Sequence, residues 1–394
     1  MLTRDLAAVR ATRVFRTADD CDLADFAALT ARVTDPADWP LAAGVQKNVP
    51  VYDCASLRPR LDDAGFVRAV KAEWAEAMAA GPGVVVLKRA EDDHAMLDRA
   101  SDLFRAMIGE QNRTGSGGGD HFAKPGANDR VWNSLEKHCL ADPANFARYY
   151  GNPFLALISE AWLGPFYQMT AQLNVVNPGG AAQSAHRDYH LGFQSAADIA
   201  RYPLHVQTMS PFLTLQGAIA HVDAPPETGP TLLLPYSQVY APGYLAMGRP
   251  DFRAHFEAHH VQLPLEKGDM LFFSPALFHA AGANRSADVK RMVNLFQVSS
   301  AYGRAMETVD RTRMVRALYP VLLGDTGLTP GQVANAIAAS AEGYPFPTNL
   351  DRDPPLGGMA PKSQARLVAE ALAERWAPER LNAALDAQAA KRLS

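Results

Sequence analysis

The residues with the clearest chemical potential in this 394-residue chain are its histidines, eleven in all, most of them beyond residue 185. Two His-x-Asp pairs occur, His186-Arg187-Asp188 and His221-Val222-Asp223. On a strand, positions i and i+2 project from one face, so either pair could present an imidazole and a carboxylate to a single ion. A third ligand must then come from another strand. His279 is placed for it, because it follows Lys267-Gly268-Asp269, the apolar run MLFF and Ser274-Pro275, and leads through a polar turn to another strand. Two histidines and one carboxylate on one face of an octahedral ion leave three positions open, the arrangement used for oxygen activation at non-heme Fe(II). Zinc would also fit geometrically, but hydrolysis needs a general base that the sequence does not identify.

The run HRDYH at 186–190, the segment DAPPETGPTLLLPYSQ at 223–238, KGDMLFFSPALFHAAGANRS at 267–286 and Arg291 together resemble the phytanoyl-CoA dioxygenase family of iron- and 2-oxoglutarate-dependent oxygenases. The resemblance is concentrated in 168–300. It implies a mainly β fold with α flanks, a double-stranded β-helix or jelly roll of the cupin kind. It also implies Fe(II) held by His186, Asp188 and His279, the catalytic centre, with 2-oxoglutarate as cosubstrate. Arg291, twelve positions beyond His279, would pair with the distal carboxylate of 2-oxoglutarate, for which a guanidinium fork suits better than an ammonium. Glu227, Gly229, Pro230, Thr231, Pro235 and Ser237 match the family's loop-strand-turn signature, which makes His221 and Asp223 neighbours of the site rather than ligands. The serine common two positions after the distal histidine is Ala281 here.

Gln172 and Asn174 share a face of the preceding strand and are expected to donate to 2-oxoglutarate or substrate, with a core-network role as the alternative. Tyr189, His190, Phe193 and Gln194 could line the substrate pocket, whereas Arg187 should point away from the face of Asp188 and Lys290 away from that of Arg291. Retention of Asp188 favours hydroxylation of a small molecule, with release of succinate and carbon dioxide, over halogenation. Two other readings stay open: a cupin-like isomerase or dioxygenase that does not use 2-oxoglutarate, and a non-enzymatic small-molecule-binding β module.

The elements needed to position these residues follow from pattern. Residues 1–167 read as largely helical, with a helix from Phe66 to Ala80, a stop at Gly81-Pro82-Gly83, a short buried strand at 84–87, and a glycine-rich loop at 114–121 containing His121. Residues 168–300 read as short strands divided by Gly and Pro turns, the expected catalytic core. Residues 301–394 return to helix, interrupted at Pro378. Composition supports a globular chain: 48% hydrophobic and 20% charged residues supply a core without a charge excess. A formal charge of -4 argues against nucleic acid as a partner, and no apolar run suggests a membrane span or signal peptide. Three distant cysteines with no CxxC point to a reducing, cytoplasmic setting. The expected partners are a small-molecule substrate and molecular oxygen.

Overall fold

The computed structural model describes residues 2–115 and 126–393, so His121 and most of the glycine-rich loop lie outside the described residues. The described chain forms two compact units. The first comprises residues up to Asp92, a segment ending at Arg130, and Asn174–Leu295; the second begins at Asp93 and takes in Val131–Leu173 and the chain from Phe296 onward.

The described residues contain ten strands: β1 Gly44–Gln46, β2 Val49–Asp53, β3 Val84–Lys88, β4 Asn128–Val131, β5 Gln168–Val176, β6 Thr214–Ala220, β7 Leu232–Leu233, β8 Met270–Phe273, β9 His279–Ala280 and β10 Arg291–Ser299. Eight of them make one open sheet in the order β1-β2-β3-β8-β6-β10-β5-β4, mixed because β2 and β3 are parallel while β3, β8 and β6 alternate. In the first unit, strand alternation sends Val49, Val51, Val84, Val86, Leu271 and Phe273 to one face, where they pack with Leu233, Leu265 and Leu277. Each such side chain, fully buried, contributes about 1.5–3 kcal/mol relative to exposure, so this face fixes the strand register. The opposite face takes the helix Ala64–Ala79. Its apolar positions Phe66, Val70, Trp74 and Met78 recur at helical spacing, and Asp63 caps its start by accepting from the Gly65 and Phe66 amides. Tyr52 and Trp74 meet there edge to face at 5.8 Å.

The expected jelly roll is not what forms. Helix outweighs strand, 48% against 14%, and the sheet is open with β1 and β4 at its edges, so a mainly β, double-stranded β-helix is overturned. The physical reason lies in the segments that would have supplied a second full sheet. Residues 177–190 carry Pro178, Gly179 and Gly180, and residues 223–238 carry Pro225, Pro226, Pro230 and Pro235, which remove ladder donors and favour turns. What remains is the two-residue ladder of β7 and β9 plus isolated bridges at His186–His279, Ala224–Leu265 and Leu233–Val261. Between the first metal-ligand motif and β6, residues 190–213 fold as short helical turns rather than strand.

The second unit is helical. Its helices include His94–Thr114, Ser134–Ala141, Pro143–Tyr150, Pro153–Leu163, Arg311–Leu323, Pro330–Ser340, Gln364–Ala373 and Pro378–Lys391. No described helix is long and apolar enough to cross a membrane. At its core His138 is fully buried among Phe104, Phe146, Tyr149 and Tyr150 at 5.3–6.0 Å. Asn145 donates its amide to the Met96 carbonyl and so offers its oxygen to His138 Nε2 at 2.8 Å, which makes Nε2 the protonated nitrogen.

Burial pushes the His138 pKa down to about 4, against the smaller opposing influence of the Asn145 bond. Between pH 6.5 and 4 the unfolded chain therefore binds a proton that the folded chain refuses, and stability falls as pH falls through that window, by up to roughly 3 kcal/mol. A His138→Gln variant, which keeps a donor for Asn145, is expected to lose this part of the acid sensitivity. Urea midpoints measured across the window check it, and equal acid losses in both proteins would refute the assignment.

Candidate metal centre

The site begins with backbone. His186 N donates to the His279 carbonyl at 3.0 Å, and His279 N donates back to the His186 carbonyl at 3.1 Å. Residues exchanging such a pair stand directly opposite and project to the same side, which sets the two imidazoles together with ring centroids 4.4 Å apart. Asp188, two positions on, falls on the same face, and its amide donates to the Pro275 carbonyl at 3.1 Å. The three ligating atoms lie within 4.8 Å of one another: His186 Nε2 is 3.8 Å from Asp188 Oδ1, and His279 Nε2 is 3.5 Å from Oδ2.

The tautomers follow from hydrogen bonds. His186 Nδ1 sits 2.9 Å from the Ser184 carbonyl and His279 Nδ1 sits 2.9 Å from the Leu277 carbonyl, each two residues upstream. A carbonyl can only accept, so each Nδ1 carries the proton and each Nε2 offers a lone pair toward the third ligand. Burial alone would raise the pKa of Asp188, but in the metal-free centre a bond from His279 and the charges of His186 and His279, present while each imidazole carries a second proton on Nε2, together with a bond from the Gln216 amide, outweigh it. The carboxyl is held well below the usual carboxylate range and is ionised at neutral pH. A fixed carboxylate with two Nε2 lone pairs is a donor set that suits a divalent iron ion.

The family-like segments pin these ligands. Ser237 Oγ accepts from the Phe278 amide at 2.8 Å and donates to the Leu234 carbonyl at 2.6 Å, which fixes the residue before His279. Gly229 has φ +72°, and a Cβ there would stand 2.3 Å from the Ala283 carbonyl oxygen, so only glycine lets this loop lie on the chain after His279. Asp269 is buried and accepts from Lys88 Nζ at 2.5 Å, Arg89 N at 2.8 Å and Glu266 N at 2.6 Å, holding the turn that launches β8. The competing pair has other duties. Asp223 Oδ1 accepts from the Lys267 amide at 2.9 Å, bracing that same turn, and His221 is buried with its amide bonded to the Met292 carbonyl. Among the described residues only His186, Asp188 and His279 form a metal-ligating group.

Arg187 points away from the ligand face, as strand alternation requires. Its Nη2 donates to the Ser237 carbonyl at 2.6 Å and the Tyr240 carbonyl at 3.0 Å, and its guanidinium lies 5.2 and 5.1 Å from the Tyr244 and Phe278 rings. Burial without a carboxylate partner pushes its pKa down to about 10, still far above neutrality. Gly243 exists to admit it, since a Cβ would come within 2.0 Å of Arg187 Cζ. Tyr244 adds a hydroxyl bond to the Asp188 carbonyl at 3.2 Å. Tyr189 and His190, the next residues, have φ of 63° and 42°, a left-handed turn that leaves Tyr189 buried and ends the strand-like segment. Phe193 is exposed, and Gln194 is partly buried.

Arg291 is buried in the same unit, while its neighbour Lys290 is exposed. Arg291 Nη1 donates to the Thr228 and Gly282 carbonyls at 3.2 and 3.4 Å, and no carboxylate pairs with it among the described residues. Burial pushes its pKa down to about 10. A buried cation whose fork is filled only by two carbonyls is a fit for an anionic ligand group. Asn174 is buried with Oδ1 unpartnered among the described residues. Gln172 belongs to the second unit, where its amide donates to the Met306 sulfur at 3.7 Å. Sequence reasoning missed Gln216, whose Nε2 donates to Asp188 Oδ2, and Tyr244. A long amide in the otherwise small or apolar stretch LQGAIA was the available signal for Gln216.

A two-histidine, one-carboxylate face of this kind defines a non-heme iron centre with open coordination positions. The phytanoyl-CoA dioxygenase (PhyH) family model matches residues 62–292, and the chain belongs to that family. It is an enzyme of the non-heme oxygenase class that uses Fe(II) and 2-oxoglutarate on a small molecule. Similar solved structures include the non-heme α-ketoglutarate dependent epimerase SnoN from nogalamycin biosynthesis, at 19% identity over 59% of this chain and 84% of that one, with a TM-score of 0.41. A second SnoN structure, in complex with Fe3+, α-ketoglutarate and nogalamycin RO, gives 19% identity, coverages of 59% and 85%, and a TM-score of 0.40. The carbocyclase SnoK from the same biosynthesis gives 21% identity, coverages of 65% and 90%, and a TM-score of 0.42. These likenesses are too distant to carry a substrate or a reaction to this chain. No curated protein matches it.

Replacing Arg187 by Met keeps most of the volume but removes the charged donor from the Ser237 and Tyr240 carbonyls, which keep only the Tyr240 and Gly243 amides at 3.4 and 3.0 Å, an expected cost of about 1.5–3 kcal/mol. Chemical denaturation of metal-free protein measures it. A stability equal to that of the parent would show that the guanidinium does not hold the segment carrying His186 and Asp188.

Proposed function

We propose that His186 Nε2, His279 Nε2 and one oxygen of Asp188 hold Fe(II), that Arg291 binds the distal carboxylate of 2-oxoglutarate, and that the enzyme hydroxylates a small molecule. The observation that carries this reading is the pair of Nδ1–H bonds to upstream carbonyls, which leaves both Nε2 lone pairs beside an ionised carboxylate. When bound, Fe(II) and 2-oxoglutarate supply the oxidation, with oxygen consumed and succinate and carbon dioxide released as the substrate gains a hydroxyl group. The chain's own work is to bind and orient. The bonded Nδ1 groups prevent ring rotation, and the depressed pKa of Asp188 keeps it available as an anion throughout the neutral range. Arg291 remains charged and offers Nε and Nη2, which have no protein partner among the described residues, to a carboxylate. Asn174, with its unpartnered oxygen, is assigned to cosubstrate or substrate, and three buried, unpaired cysteines support a reducing, cytoplasmic setting.

Metal affinity separates the two His-x-Asp pairs. His186→Ala is expected to weaken Fe(II) binding by at least about 100-fold, while His221→Ala leaves it near the parent value, as anaerobic titration would read. The reverse order would transfer the site to the second pair. For Arg291→Leu, Fe(II) binding should persist while 2-oxoglutarate affinity falls by about 10- to 100-fold with the loss of a charge-assisted bidentate contact. Unchanged cosubstrate affinity would remove Arg291 from that role.

The reaction class is tested by mixing anaerobic protein, Fe(II) and 2-oxoglutarate with labelled oxygen gas and a pool of cellular metabolites. One labelled atom should appear in succinate and a one-oxygen mass gain in a product, with some label lost to water exchange. Metabolite-stimulated oxygen use without succinate would contradict the proposed function.

A further inference from the structure

We infer that Gln216 is a positioning residue that keeps Asp188 to a single coordinating oxygen, an inference that rests on the proposed metal site. Gln216 lies in β6 and is buried; its Nε2 donates to Asp188 Oδ2, while its Oε1 is buried with no partner among the described residues. The amide orientation follows from this contact, because turning it over would set a carbonyl oxygen against a carboxylate oxygen with no hydrogen between them. An amide N–H on a carboxylate oxygen is a charge-assisted bond, about twice as strong as one between neutral groups. Here one end is left unsatisfied and the other is committed to Asp188. Register supports the same aim. Gln216 stands opposite Phe273 of β8, whose ring lies 4.6 Å from the His279 ring, so its side chain emerges on the side of the three ligands.

The chemistry follows from counting oxygens. Oδ2, 3.5 Å from His279 Nε2, has one lone pair engaged by the Gln216 amide, whereas Oδ1, 3.8 Å from His186 Nε2, accepts no hydrogen bond among the described residues. Two imidazoles and one carboxylate oxygen leave three of six positions, enough for a chelating 2-oxo acid and one molecule of oxygen. If both Asp188 oxygens bound the ion, only two would remain and the chelate would fill them. A donor held on Oδ2 therefore protects the position that oxygen needs, and it does so without touching the ion.

The test uses the full chain with Co(II) alone, then with Co(II) and 2-oxoglutarate, read by affinity and by the visible spectrum of the bound ion. Gln216→Met keeps the length of the side chain and removes the donor. It is expected to weaken Co(II) binding by about 10- to 100-fold and to alter the Co(II) spectrum, with the melting temperature of the metal-free protein unchanged. A packing role alone predicts that Met leaves both affinity and spectrum as they were, and that result would overturn the inference. Should the Met variant fail to fold, Gln216→Leu is read by the same two criteria. His186→Ala serves as the reference: if it too leaves Co(II) binding unchanged, the triad assignment fails, whereas its loss of binding beside an unaffected Gln216→Met defeats the Gln216 role alone.

Discussion

The reciprocal backbone bond between His186 and His279 is the constraint on which the site depends. It is an isolated bridge in a region where prolines and glycines have reduced sheet pairing to fragments, so no extended ladder enforces it. Its geometry is nonetheless decisive, because it brings two segments 93 residues apart in sequence together with their imidazoles on one side, ring centroids 4.4 Å apart. The surrounding contacts can be understood as substitutes for the missing ladder. Ser237 pins Phe278, Arg187 ties the first segment to the 237–240 turn, and Asp188 N reaches Pro275 O. Each is a single hydrogen bond or fork, and each acts within two residues of a ligand.

Two buried arginines show how the same side chain is put to different use in one unit. Arg187 has its charge offset by carbonyl oxygens and two aromatic faces, and glycine at 243 makes room for it. Arg291 is as deeply placed yet has only two long carbonyl contacts, and those carbonyls come from the Gly229 loop and the chain just past His279. Burying a cation without an anion is unfavourable unless a ligand completes it. Under the proposed function, the stability sacrificed at Arg291 is the kind a dicarboxylic ligand would recover, which would couple cosubstrate binding to the order of this part of the unit.

Much of the site was legible in the sequence because its ligands obey strand periodicity. His186 and Asp188 share a face, Arg187 and Lys290 point away, and Asp223 braces a turn, all consequences of a two-residue repeat and turn chemistry. The helix at Ala64–Ala79, the strand at Val84–Lys88 and the strands Met270–Phe273 and Arg291–Ser299 were equally readable from apolar spacing and glycine stops. The jelly roll was not, since family likeness implied a second sheet while local proline and glycine content opposed its ladder, and the local chemistry prevailed. Gln216 escaped notice for a different reason. It lies 28 positions after Asp188, across the helical turns of 190–213, and no periodicity links residues that meet only through tertiary packing.

Anomalous diffraction at the iron edge, on crystals grown anaerobically with Fe(II) and 2-oxoglutarate, tests the proposed metal centre most directly. One strong peak is expected in the first unit, at about 2.0–2.2 Å from His186 Nε2, His279 Nε2 and Asp188 Oδ1, the usual span for nitrogen and oxygen ligands of a divalent transition metal. A peak bonded instead to His221 and Asp223, or one that includes both oxygens of Asp188 with Gln216 turned away, would contradict it.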